Sequence, residues 1–574
     1  MVHDDGAEQR RSLTVQGTLA DGTPLSRAEV AAADFGRMEW VVPAWGTRAV
    51  VYAGQGTRDH LRAGLQLLSG EVPRRTLYGH TGWRQIGGAW FYLHAGGAIG
   101  AAGLTSDIPV SLPESLAGFI LPAPPEGAEL ADAVRASLGI LRLGPDRLTV
   151  PLLAAVYRAA LGDTDFAQHL SGPSGTYKSE GVALAQQHFG RGMDARHLPA
   201  AWSSTGNALE ALAFAAKDAL LVVDDFCPAG SSANVQRYHR EADRLFRGQG
   251  NRAGRQRLRA DAGLRPAKPP RGLTLSTGED PPRGQSLRAR LLVLEIARGD
   301  FGPQPPDPNP TLSACQRDAA AGKYAAAMAG FVRWLAPQYD AVRGRLRGEV
   351  AELRDQASCD GQHARTPGIV ADLALGLHYF LDFALSTGAI SEEERAELWA
   401  RGWAALAEAG AAQAAQIATA EPAGLFLRLL WAAVASGSAH IADGDGNAPR
   451  EPQRWGWRFA ESSGGTGPRY WPQGKCVGWL DEGELYLEPD ASFAVVQSFA
   501  REQNESLPVT EYTLRRRLKE KGLLASTDAN RDKLTVRKTL QGRRRDVLHI
   551  AQDGIATAPP TDPEEADGDD EPPF

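Results

Sequence analysis

The chain is short of cysteine, of lysine and of long apolar runs, and each shortage closes off a class of protein. Four cysteines in 574 residues (Cys227, Cys315, Cys359 and Cys476) stand far apart, with no Cys-x-x-Cys pair. That excludes a disulfide-stapled scaffold and a zinc ribbon. Cys359 and His363 have ligand-like spacing but no second pair to complete a site. No run approaches the roughly 18 apolar residues that a membrane-spanning helix needs. Residues 1–12 are polar where a secretory signal needs an apolar core. A cytoplasmic protein with no membrane partner is expected. Scarce lysine beside abundant alanine, arginine and glycine is the bias a GC-rich genome imposes. With 43% hydrophobic and 23% charged residues the composition is that of a folded soluble protein. The length exceeds one core and calls for several domains. The net charge of −7 hides strong local asymmetry, so the segments matter more than the sum.

The expected fold class is multi-domain α/β. Residues 1–145 read as a β-rich module: Met38–Val42 and Ala49–Tyr52 are short β-favouring runs, and Gly82–His94 reads as a hairpin turning on Gly87-Gly88. Trp40, Trp45, Trp83 and Trp90 are expected in its core. A proline-marked linker at 122–125 leads to a helix from about Leu130 to Leu141. Residues 146–302 alternate strand-like and helical stretches, the pattern of a mainly parallel sheet. The proline-dense run 303–310 cannot be helix or central strand. Residues 303–438 beyond it read as an all-helical domain, 439–468 as a loop, 469–552 as a small basic module, and 553–574 as a disordered acidic tail.

Two motifs carry chemistry. Gly172-Pro173-Ser174-Gly175-Thr176-Tyr177-Lys178-Ser179 reads as a phosphate loop followed by a helix. Its small residues let backbone N–H groups converge on phosphate oxygens, Lys178 reaches the terminal phosphates, and the Ser179 hydroxyl ligates Mg²⁺. Tyr177 departs from the usual pattern, which has glycine before the lysine. Leu220-Leu221-Val222-Val223-Asp224-Asp225 then reads as a buried strand ending in two carboxylates. Asp224 is expected to hold the metal and Asp225 to orient or deprotonate the attacking water. A third strand ends in Ser276-Thr277-Gly278-Glu279, where Ser276 or Thr277 is placed to touch the γ-phosphate or the water. Arg290, with Arg288 second, precedes a further apolar strand and is the candidate to reach a neighbouring subunit's ATP. Together these residues form a kit for binding ATP with Mg²⁺.

The ordered set Gly82-Trp83-Arg84, Gly172–Ser179, Trp202–Glu210, Asp224-Asp225 and Ser276–Glu279 resembles the domain-of-unknown-function 927 family over roughly residues 30–300. The resemblance implies a P-loop ATPase core with a RecA/AAA+-like parallel sheet, similar to hexameric superfamily 3 helicases of plasmids, phages and integrative elements. In Trp202–Glu210, Asn207 with Glu210 also reads as a capping-box-like helix start.

Between the twin aspartates and the third strand, residues 237–271 carry eleven arginines and lysines against three acidic residues, a net +8. The resemblance places a pore-facing hairpin here. Arg252, Arg255, Arg257 and Arg259, around Gly250 and Gly254, would grip the phosphates of a single strand. In the C-terminal module, Thr510 caps a helix bearing Arg515, Arg516, Arg517 and Lys519, and a hairpin follows around Arg543 and Arg544. Helix, helix and hairpin is the order of a winged helix, which meets duplex DNA in the major groove. The sequence therefore predicts a DNA-dependent ATPase, a ring-forming helicase or translocase of a mobile element binding single-stranded DNA and an origin duplex. The alternative is an ATP-switched DNA-binding regulator without unwinding activity.

Overall fold

The computed structural model describes residues 1–551 except 257, 259–262, 302–310, 359–364, 420, 461–468, 504–506, 508 and 532. Arg257, Arg259, the proline run at 303–310, the Cys359/His363 pair and the acidic tail thus lie outside the described residues. The chain divides into two compact units, Met1–Ala414 and Ala415–Phe574.

The first unit is built around a five-stranded, all-parallel sheet. In chain order its strands are β1 (Ala167–Ser171), β2 (Ala200–Ala201), β3 (Leu220–Phe226), β4 (Leu273–Gly278) and β5 (Leu291–Glu295). In space the order is β2-β3-β4-β1-β5, so β4 is inserted between the strand leading to the phosphate loop and the strand ending in two aspartates. β3 and β5 are near-continuous apolar runs, as strands of a parallel sheet covered on both faces are, while β1 and β4 set Gln168, His169, Thr274 and Ser276 among their apolar residues. The helices are α1 (Asp146–Leu161), α2 (Lys178–Gln186), α3 (Gly206–Ala215), α4 (Ser232–Gly250) and the short α5 (Gln285–Arg288).

One hydrophobic core runs through this unit and takes residues from all three of the modules read between 1 and 414. Trp83, from the 82–94 hairpin, stacks on Tyr339 at 4.1 Å, and Tyr157 of α1 stacks on Phe380 at 3.8 Å. That hairpin turns on Gly87-Gly88 with both φ values positive, as a two-residue type I′ turn requires. Trp83 is fully buried, while Trp40 and Trp45 belong to a small separate cluster with Phe35. Met38–Val42 is not a strand: Val41–Trp45 forms a helical turn and Met38 has a positive φ. Pro43 deprives that stretch of a ladder donor. Residues 49–52 form no strand either.

α6 (Thr366–Ser386) is long and apolar enough to cross a membrane by length and composition, contrary to the expectation of no such run. It is mostly buried within the unit, where its Asp372 takes a two-pronged ion pair from Arg158 of α1.

The second unit holds a mixed sheet. Its strands are β6 (Ala439–Asp443), β9 (Lys475–Asp481), β10 (Glu484–Leu487), β11 (Leu524–Ser526), β12 (Val536–Leu540) and β13 (Arg543–Ile550). A separate hairpin pairs β7 (Trp457–Ala460) with β8 (Arg469–Pro472). The stretch expected as loop at 439–468 therefore carries two strands. Trp455 and Trp457 are buried in it, and burial outweighs the glycine- and proline-rich flanks. Helices α7 (Pro422–Ala435), α8 (Pro489–Glu502) and α9 (Glu511–Glu520) pack into the same core.

Candidate nucleotide and nucleic-acid sites

β1 delivers the chain to Gly172 at the C-terminal edge of the sheet, where open α/β sheets bind ligands. A Cβ at Gly172 would lie 2.2 Å from the Ile296 carbonyl oxygen, so only glycine fits. Gly175 turns the loop at φ +80°, and Thr176 Oγ1 braces it by donating to the Pro173 carbonyl at 2.9 Å. Tyr177 then takes φ 62°, ψ 26°, and α2 begins at Lys178. A side chain in this left-handed region costs about 1 kcal/mol, and the tyrosine ring stays half exposed. The first N–H groups of α2 have no intrahelical partner and carry partial positive charge. Lys178 Nζ donates to the Gly172 and Pro173 carbonyls, both at 2.7 Å. Partial burial pushes the Lys178 amine down, against the pull of Glu279, Asp224 and Asp225.

The second corner closes on the first. The ladder between β3 and β4 shifts register between Val223 and Phe226, and Asp225 sits at φ 65° within that irregularity. A regular strand would send the two carboxylates to opposite faces; here the bulge leaves both at the edge. Ser179 Oγ donates to Asp224, lying 3.0 and 3.1 Å from its two oxygens. Thr277 Oγ1 donates to Asp224 and accepts the Asp225 N–H at 3.0 Å.

Ser276 points the other way. Its hydroxyl is fully buried, accepts from Trp202 Nε1 at 2.8 Å and pairs with His169 Nδ1 at 3.0 Å. His169 Nε2 in turn meets the Asp280 carbonyl at 3.2 Å. Burial lowers the His169 pKa to about 3, so the imidazole is neutral, with Nε2 donating and Nδ1 accepting. Of the two hydroxyls expected as sensor, Thr277 is therefore the one at the carboxylates. Glu279 has no role that its place in the sequence predicts. It follows β4 directly, its carbonyl accepts from Ser171 Oγ at 2.9 Å, and its charge acts on Lys178. The signal was present as two acidic residues after the strand-ending Gly278.

The two arginines expected in trans sit differently. Arg290 precedes β5, and its carbonyl accepts the Ala167 N–H at the N-terminal edge of the sheet. Its guanidinium donates to Asn251 Oδ1 at 2.9 Å. A five-residue strand, roughly 16 Å, separates it from its own phosphate loop. Arg288 is part-buried, which lowers its pKa, and Glu295 and Asp280, at and beyond the C-terminal strand ends, are the carboxylates acting on it.

The arginine-rich segment is largely helix. α4 carries Arg237, Arg240, Arg244 and Arg247, and several of them are paired. Arg237 meets Glu241 at 3.2 Å and Arg247 meets Asp243 at 2.6 Å. Arg244 is clamped by Glu210 and by Asn207 Oδ1. Asn207 and Glu210 thus hold an arginine, and the cap of α3 is Thr205, which accepts from the Ala208 N–H at 3.3 Å. Arg252 is tied to Asp163 at 2.6 Å. Arg255 is exposed and lines a groove of about 730 Å³ with Arg240, Arg244 and Arg247. Beyond it a single antiparallel bridge joins Leu258 to Leu264.

In the second unit, α9 is capped by Thr510 and buries Leu514 and Leu518, leaving Arg516, Arg517 and Lys519 exposed. Arg515 pairs with Glu511 and Asp490, and Arg516 and Arg517 with Glu520. Arg543 and Arg544 are exposed where β13 leaves its turn. A groove of about 800 Å³ is lined by Arg515, Arg516, Lys519, Lys533 and Arg545, with Glu488, Asp490, Glu520 and Asp546 opposing them.

No family model matches the chain and no curated protein does, so the resemblance to the domain-of-unknown-function 927 family rests on its motifs alone. Among solved structures the chain is similar in fold to "SCCmec type IV Cch - active helicase". The TM-score is 0.52 at 12% identity, over 96% of this chain and 96% of that one.

Proposed function

We propose that this chain is an ATP-driven motor on nucleic acid, a ring-forming DNA helicase or translocase serving replication of a mobile genetic element. The reading is carried by the meeting of Ser179 with Asp224 beside Lys178, at the C-terminal edge of a parallel sheet with an extra strand between the two motif strands. Its likeness in fold to a chain named an active helicase supports a motor over other P-loop proteins.

Residues 172–177 and the first turn of α2 cradle the phosphates of ATP, and Lys178 exchanges its carbonyl partners for terminal phosphate oxygens. Ser179 and Asp224 offer only hard oxygen donors, which suits Mg²⁺; the ion would neutralise charge on the phosphates as the terminal phosphoryl group passes to water. Asp225 orients that water and takes its proton, and Thr277 holds the two aspartates in register. Arg290 or Arg288 of a second copy stabilises the developing charge from across a subunit interface. Arg255 and its groove contact a single strand through phosphates. α8, α9 and the β12–β13 hairpin act as a winged helix on an origin duplex, with Arg515, Arg516, Arg517, Lys519, Arg543 and Arg544 on its basic side.

One observation favours the rival, an ATP-switched DNA-binding regulator: Tyr177 occupies a left-handed position beside the catalytic lysine, where a glycine loop would adjust more freely. ATP turnover measured with and without single-stranded DNA tests the motor first. Lys178→Ala should abolish turnover, and Asp225→Asn should leave ATP binding while stopping hydrolysis. A forked duplex should separate under ATP. A fork that stays closed while ATP is turned over leaves the regulator.

A further inference from the structure

In the proposed hydrolysis Asp225 accepts one hydrogen of the attacking water, and a water has two. Held by one hydrogen, its oxygen still swings about that bond. A second acceptor aims the lone pair at phosphorus and keeps it in a near-attack position. Glu279 stands where such an acceptor is needed. Gly278 is the register partner of Ser171 on β1 and of Phe226 on β3. The next residue therefore leaves the sheet between Gly172 of the phosphate loop and Cys227, just past the twin aspartates. Its main chain is pinned there. The Gly172 N–H donates to the Gly278 carbonyl at 3.2 Å, Ser171 Oγ donates to the Glu279 carbonyl at 2.9 Å, and His169 Nε2 donates to the Asp280 carbonyl at 3.2 Å.

The strand sets the side of the sheet edge that Glu279 serves. Thr277 reaches Asp224, and residues two apart share a face. Glu279 returns to the face of the carboxylates, roughly 6–7 Å farther along the chain. The charges agree with this placement. Against the burial that lowers the Lys178 amine, Glu279 pulls hardest, ahead of Asp224 and Asp225. Burial raises the Cys227 thiol, and Glu279, Asp225 and Asp280 add to that rise. Glu279 and Asp225 act together on both Lys178 and Cys227, so the two carboxylates share one region. The other influence of Asp280 falls on Arg288 and His239, not on Lys178. Asp224 is engaged by Ser179 and Thr277. Glu279 is exposed, and its carboxylate makes no hydrogen bond or ion pair among the described residues. A carboxylate beside phosphate oxygens repels them unless a hydrogen-bearing group lies between, and a water is such a group.

We propose that Glu279 is a second catalytic carboxylate, which accepts the hydrogen of the attacking water that Asp225 does not. The water oxygen bonds to the terminal phosphorus as the bond from that phosphorus to the bridging oxygen breaks. ADP leaves with that electron pair, the water's proton passes to Asp225, and Glu279 keeps the oxygen aimed throughout. The proposal rests on the ATPase reading above and adds a residue to its site.

The test uses the full chain, with turnover followed as released phosphate and affinity as binding of a fluorescent, non-hydrolysable ATP analogue. Glu279→Gln keeps the shape and removes the charge. Its turnover at saturating ATP should fall by at least roughly a hundredfold. The analogue should bind at least as tightly as to wild type, because a like charge beside the phosphates is gone, and the melting temperature should not move. Glu279→Asp keeps the charge and draws the carboxylate back by one methylene. It should also be slowed, by up to roughly a hundredfold for a misplacement of about 1 Å, at wild-type affinity. Undiminished turnover in Glu279→Gln, with Asp225→Asn inactive, overturns the second carboxylate and leaves the ATPase reading standing. Turnover and affinity lost in equal measure make Glu279 a prop for Lys178 and the phosphate loop, and the proposal falls. A wild-type chain that neither binds nor hydrolyses ATP overturns both.

Discussion

A strand turns successive side chains to opposite faces, so Ser276 and Thr277 cannot both serve the carboxylates. Thr277 touches Asp224 and the Asp225 main chain, whereas Ser276 closes a buried chain with Trp202 and His169. The two hydroxyls should fail differently when removed. Thr277→Val keeps the shape but frees Asp224 and the Asp225 N–H; turnover should drop at least about tenfold, the 1.4 kcal/mol cost of one misplaced hydrogen bond, with melting temperature nearly unchanged. Ser276→Ala strands Trp202 Nε1 and His169 Nδ1 in the interior and should cost about 1–3 kcal/mol of stability. Equal loss of turnover at normal stability in both would contradict this division. The spacing of Lys178, Ser179, Asp224 and Asp225 was legible because chemistry fixes those residue types at those positions. Which of two adjacent hydroxyls faces the site was not, because β4 is buried on both faces, and the alternation of Leu273 and Leu275 with Thr274 and Ser276 does not say which face looks to the carboxylates.

At the scale of elements, the basic segment shows how far charge counting reaches. Net +8 between 237 and 271 predicts attraction to phosphate, but not which charges are already engaged. α4 and its neighbours spend Arg237, Arg244, Arg247 and Arg252 on carboxylates of the same unit, because partners such as Glu210 and Asp163 come from distant sequence. Arg255→Ala should therefore weaken oligonucleotide binding and lower the slope of log affinity against log salt by about one. Arg252→Ala should change binding little and instead loosen its tie to Asp163. Anisotropy titrations at several salt concentrations separate the two, and the opposite ranking would return the strand to Arg252. The helices were legible from their periodicity, as α9 shows: Leu514 and Leu518 face in and the arginines out. The strands at 439–443 and 457–460 were not, because they are only five and four residues long and lie among glycines and prolines that read locally as loop.

On the scale of the whole first unit, buried polar groups decide how the molecule answers to acid. Arg158 and Asp372 form an ion pair deep in the core. Removing one partner leaves the other charge buried, so Asp372→Ala should cost about 3–5 kcal/mol. Four histidines of the same unit are buried and neutral: burial lowers His80, His94 and His188 to about 4 and His169 to about 3, from an ordinary 6.5. Above pH 6.5 both the folded and unfolded chains hold these rings neutral, and their burial costs nothing in protons. As pH falls through 6.5 the unfolded chain takes up protons that the folded one refuses until about 4, so stability is lost across that window. Each fully titrating ring contributes about 1.4 kcal/mol per pH unit. Asp372 works in the opposite sense, since burial raises its pKa and the folded state gains its proton first, but one carboxyl does not offset four imidazoles. Thermal unfolding should therefore be highest above pH 7 and fall steadily from pH 6.5 to 4, before most carboxylates protonate. His94 Nδ1 accepts the Gly96 and Leu121 N–H groups, a task an amide oxygen can take over. His94→Asn should accordingly flatten the slope by about one proton's worth while leaving stability at pH 7.5 nearly unchanged. A melting temperature that stays level from pH 7.5 to 5 would mean that these rings are solvated in the folded chain, and the continuous core drawn through the sheet would have to be opened around them.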